Sequence, residues 1–154
     1  MKKIMIAIVA VIALSLAFAA PAFAGGNGAV KMDLSERMQG DNARGPGSGP
    51  VVGWAIANTT GDGRLAVEVH LDNGEAKQTF DVYVKINWTW YEADIVQMTT
   101  NNNGKGNAHS VLDMDNYPVS GDSIVVQVVV KPQGSSAVIG YATDGETVPL
   151  KKYT

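Results

Sequence analysis

Cysteine is absent from the 154-residue chain, which removes disulfides, thiolate metal sites, a cysteine nucleophile and a lipid-modified N-terminal cysteine. Histidine is scarce, with two residues, so sites built on clustered imidazoles have little to draw on. Basic charge is not in excess either: 12 Lys and Arg stand against 15 Asp and Glu, for a formal net charge of −3. That balance is the opposite of the basic stripe carried by nucleic-acid binders. Catalytic signatures are missing as well. There is no G-x-S-x-G elbow, no H-E-x-x-H, no phosphate loop and no dinucleotide fingerprint. Gly104-Lys105-Gly106 lacks the rest of a phosphate-binding loop, and Glu92 with Asp94 is a pair of sequence neighbours without defined geometry. The expectation is a protein that is not an enzyme, binds no nucleic acid and needs no cofactor, with calcium and a transition metal as the candidate ions.

What is present begins with an address. Lys2 and Lys3 precede an apolar run over residues 4–20, followed by Pro21 and Ala22-Phe23-Ala24. A basic start, an apolar middle and a small-x-small end are the signature of a secretory signal peptide cleaved after Ala24. Removing residues 1–24 takes away two lysines and no acid, so the mature chain carries −5. No later apolar stretch reaches the roughly 17–25 residues of a spanning helix. The expected product is secreted, periplasmic or extracellular, without a membrane span.

Beyond residue 24 there are 17 valines and 5 leucines, a ratio that suits pleated sheet better than helix. Strict alternation marks residues 64–71, with Leu65, Val67, Val69 and Leu71 on one face. It marks residues 80–90 too, placing Phe80, Val82, Val84, Ile86, Trp88 and Trp90 on a core face. Further strands are expected over 51–58, 95–100, 110–114, 138–142 and 147–150. The nearly continuous aliphatic run 123–130 reads as a central strand covered on both faces. Thr60-Gly61-Asp62-Gly63, Asp72-Asn73-Gly74, Asn103-Gly104-Lys105-Gly106, Ser120-Gly121-Asp122 and Asp144-Gly145 supply turns, where Asn and Gly accept positive φ. Seven or eight short strands so punctuated give an all-β, antiparallel β-sandwich, with a small β-barrel as the alternative. The domain plan is a signal peptide (1–24), an N-terminal strand with a Gly/Pro-rich tether (25–50) and the β domain (51–154).

Within 25–50, residues 29–34 alternate as a strand, and residues 35–50 carry Gly40, Gly45, Pro46, Gly47, Gly49 and Pro50 and read as a mobile tether. A strand on a tether can be an ordinary first strand, or it can complete the sheet of a second copy.

Four side-chain groups are candidates for chemistry. Glu68, His70 and Asp72 share one face of a strand, where residues two apart lie close enough to converge on a transition metal, and His109 offers a second imidazole. Asp62, Asp113, Asp115 and Asp144 are oxygen donors in or beside turns, the donor type calcium takes, although no EF-hand spacing is present. Tyr83, Asn87 and Tyr91 are the polar-face residues around Trp88-Thr89-Trp90 and are candidates for stacking on and bonding to a saccharide. Asn58-Thr59-Thr60 and Asn87-Trp88-Thr89 fit the N-glycosylation pattern. Together these readings point to an exported, non-catalytic binding or structural module with a protein or cell-envelope surface partner. The alternatives are a self-assembling subunit exchanging residues 29–34, and a calcium-dependent surface or saccharide binder.

Overall fold

The computed structural model describes residues 28–90, 96–117, 121–135 and 140–151. Residues 1–24, expected as a signal peptide, Tyr91 and the pair Glu92/Asp94 lie outside the described residues. The strands are β1 (Val30–Arg37), β2 (Val51–Thr59), β3 (Arg64–Leu71), β4 (Thr79–Ile86), β5 (Thr89–Trp90), β6 (Val96–Thr99), β7 (Gly106–Asp113), β8 (Ser123–Pro132), β9 (Gly140–Ala142) and β10 (Glu146–Pro149). A single 3-10 turn, Met114–Asn116, is the one helical element among the described residues.

All pairings are antiparallel and run in the order β5-β4-β8-β9-β1-β2-β3-β7. One edge of β4 is shared by β6, opposite Thr79 to Val82, and β5, opposite Lys85 and Ile86. One edge of β8 is shared in the same way by β10 and β9. The tight turn from β6 to β7, closed by Asn101 N–H to the Lys105 carbonyl (2.9 Å), brings the two ends of the path together. The protein is therefore all-β and antiparallel, one sheet nearly closed into a barrel. Closure spares most strands an unpaired edge.

Alternation decides the interior. Met32 and Leu34, Leu65 through Leu71 on odd positions, Phe80 through Ile86 on even ones, and Ile124, Val126, Val128 and Val130 are all buried and fill one core. β8 is central, as its composition suggests: its outward residues Gln127 and Val129 are 1% exposed. Gln127 is covered by the chain between β1 and β2, because its Nε2 donates to the Gly45 carbonyl (3.0 Å).

That connection, residues 38–50, falls in the segment expected as a tether and is hydrogen-bonded along its length. Asp41 Oδ2 accepts from the Met38 and Ser48 amides, both at 2.8 Å, and Asn42 Oδ1 from Arg44 N–H at 3.0 Å. Gly49 N–H reaches the Glu36 carbonyl (2.9 Å) and Glu36 N–H reaches Pro50 (3.0 Å), so the loop returns along β1. A Cβ on Gly47 would overlap the Glu36 carbonyl, so the glycines here serve close backbone approach. β1 itself pairs with β2 over Val30 to Ser35 and with β9 over Ser35 to Arg37, within the same chain.

The second difference concerns the tryptophans. β4 ends at Ile86, since Asn87 (φ 49°) and Trp88 (φ 67°) are both left-handed and form the two-residue turn into β5. Trp88 thus leaves the alternating row instead of continuing it, and its indole lies against Gly145. Trp90 falls in register with Lys85.

Candidate functional site

The outer face of β1-β2-β3-β7 is built in two cross-strand rows. Asp33, Trp54, His70 and Asn107 stand opposite one another in the first, and Lys31, Ile56, Glu68 and His109 in the second. Directly opposed side chains on one face lie within contact range. Trp54 and His70 stack with centroids 3.9 Å apart and planes 22° apart. Lys31 Nζ lies 5.4 Å from the Trp54 ring centre, and His70 Nε2 meets Glu68 Oε1 at 2.6 Å. Glu68 is buried although it stands on the outer face, on a strand with neighbours on both edges and bonded to His70.

His70 also walls a groove of about 370 Å³ whose other sides are Leu71, Asp72, Asn101, Lys105, Gly106 and Asn107. Lys105 Nζ stands 3.8 Å from Asp72 Oδ1 across it. The groove lies where β3 runs out beside the β6–β7 turn, so two amides, one carboxylate and one ammonium meet beside the aromatic pair.

Each residue singled out in the sequence can be placed. Glu68 and His70 bond to each other, Asp72 turns to Lys105, and His109 stands opposite Glu68; among the described residues no group of three or more His, Asp or Glu is disposed to hold a metal ion. Asp62 is taken by Arg64, whose Nε donates at 2.7 Å, and by Thr60 Oγ1. Those bonds, Arg64 first, hold the Asp62 carboxyl at about 2. Asp113 Oδ1 accepts from Asp115 N–H (3.1 Å) and caps the 3-10 turn. Asp115 lines a small groove with Arg64, whereas Asp144 lines a different one with Lys31, Asp33, Ser35 and Glu146. The four aspartates are therefore not gathered round one point. Tyr83 is on the outer face of β4 with Lys131 Nζ 5.5 Å from its ring centre. Asn87 is a turn residue whose Oδ1 accepts from Val125 N–H (2.9 Å). Tyr91 lies outside the described residues. Asn58 is buried, so one of the two glycosylation patterns is closed in the folded chain.

Sequence reasoning passed over Trp54. Its signal was there: Trp54 and Ile56 alternate with the buried Ala55 and Ala57 and so had to face outward.

The chain matches no family model, no curated protein and no solved structure. Among the described residues no helix is long and apolar enough to cross a membrane.

Proposed function

We propose that the chain is an exported, non-catalytic binding module that recognises a saccharide of a cell envelope or extracellular surface through the groove beside Trp54 and His70. The observation that carries this reading is His70, stacked on Trp54, at the wall of a groove framed by Asp72, Asn101, Lys105 and Asn107. Polyhydroxylated rings are held by an apolar ring face together with convergent donors and acceptors, and the groove's volume is at the low end for small-molecule sites. A rigid barrel favours such a role, since it fixes the two rows without ordering them on binding. The export signal in residues 1–24 supports a place outside the cytoplasm. Pairing of β1 with β2 and β9 in its own chain favours recognition over exchange of residues 29–34.

The test is a screen of soluble polysaccharides and cell-wall fragments by tryptophan fluorescence. At least one should quench or shift the emission saturably, and Trp54→Ala and His70→Ala should each weaken that binding at least tenfold. Silence across the panel, or equal binding by both variants, would contradict the proposal.

A further inference from the structure

A second cluster of polar side chains lies under residues 38–50. Arg37 from β1, Lys85 from β4 and Gln127 from β8 are 3%, 2% and 1% exposed, although all three project from the outer face. They converge on two carbonyl oxygens of the loop. Arg37 Nη2 donates to Ala43 (3.2 Å) and Gly45 (2.9 Å), Lys85 Nζ to Ala43 (2.7 Å), and Gln127 Nε2 to Gly45 (3.0 Å). Sharing the Ala43 oxygen puts the two charged nitrogens within the sum of those bonds, about 6 Å.

Two cations so close and so far out of water repel each other, and burial adds to the penalty. Arg37, Lys131 and Arg44 all act on Lys85 in the same unfavourable sense, with burial the largest effect. Among the described residues Asp41 is the carboxylate acting on Arg37, and its Oδ2 is already shared by two backbone amides. Arg37 Nε is enclosed and has no hydrogen-bond partner. Costly clusters of this kind are a mark of binding sites. The Ala43 and Gly45 carbonyls occupy positions that the oxygens of an anion would take.

We propose that this cluster is an oxyanion site: a phosphate or sulfate group displaces the Ala43–Gly45 segment, bonds to Arg37 through Nε and Nη2 and to Lys85 through Nζ, and has Lys131 and Arg44 at its rim. The group is either a free ion or an ester on a larger molecule. Gln127 Oε1, buried and without a partner, accepts from a protonated phosphate oxygen and so favours phosphate over sulfate.

The experiment uses the mature chain, residues 25–154, with inorganic phosphate, inorganic sulfate and glycerol phosphate as probes, each against sodium chloride at equal ionic strength. Two quantities are read: the melting temperature, and the rate of tryptic cleavage after the exposed Arg44. Phosphate should raise the melting temperature saturably and speed cleavage several-fold as the loop lifts. Glycerol phosphate should match it if the site takes esters, and should do nothing if only the free ion fits. Lys131→Gln, at the rim and away from the loop's own bonds, should raise the half-saturating phosphate concentration several-fold. Arg37→Gln should abolish the response, with circular dichroism confirming that the sheet remains. No response beyond chloride, an equal response in both variants, or stabilisation with unchanged cleavage at Arg44 would each overturn the proposal.

Discussion

Trp54 and His70, directly opposite each other on β2 and β3, stack ring on ring at 3.9 Å with His70 held in place by Glu68. The pair is part of the fold as well as the centre of the proposed groove, and the two roles can be separated by measurement.

Trp54→Ala should lower unfolding free energy by about 1–2 kcal/mol, the worth of a half-exposed aromatic contact. The barrel core lies on the other face, so the strand signal in circular dichroism should persist. Chemical denaturation of the variant checks this, and unfolding at room temperature would show that Trp54 has a larger structural part than its position implies.

Gly145 has room for no side chain because the Trp88 indole lies on it. Gly145→Ala should therefore cost about 1–3 kcal/mol through overpacking. Adding Trp88→Ala should recover most of that loss. A double-mutant cycle in urea measures the coupling, and additive effects would mean that the two residues do not meet.

Lys85 is held at about 8 by burial first and then by Arg37, Lys131 and Arg44. In the unfolded chain it titrates near its ordinary value of about 10.4, so between these values the unfolded state binds more protons. Stability should rise with pH across that window, by about 1–3 kcal/mol in total. Burial of Tyr141 pushes its hydroxyl up and works in the opposite direction at higher pH, so the rise is best read from about pH 7.5 to about 9.5. Lys85→Met should flatten most of it, leaving a remainder from Lys131, which is lowered in the same way. A wild-type stability that is flat or falling over this range would count against a buried Lys85.

Asp62 should titrate at about 2 in wild type and return towards about 3.9 in Arg64→Ala, as followed by carboxyl NMR shifts. With Asp62 committed to Arg64, and Asp115 and Asp144 lining separate grooves, millimolar calcium should leave the melting temperature unchanged. A calcium-dependent rise would show that turn aspartates do assemble round the ion.

Much of the fold is legible from period-two patterning, because one face of each strand is buried and the other is not. Residues 64–71 match β3, and the aliphatic run of β8 lies at the centre of the sheet. Patterning failed where a local conformation ended a strand that the composition would have continued. Alternation runs smoothly through Ile86 to Trp88, and only two left-handed residues reveal the turn. It is silent on residues 38–50, where glycine and proline mark a loop but not what anchors it. The loop is held by Arg37, Lys85 and Gln127, which come from three strands distant in sequence. The candidate site was half visible. Glu68, His70 and Asp72 were noticed for their donor atoms, but the register that sets Trp54 against His70 and Asn107 is a tertiary fact.

The most direct measurement is an amide and indole NMR titration of residues 25–154 with neutral and acidic oligosaccharides. The account predicts saturable shifts in the Trp54 indole N–H and in the Asn107 and Lys105 amides, lost in His70→Ala. Shifts confined to another face of the barrel, or none across the panel, would contradict it.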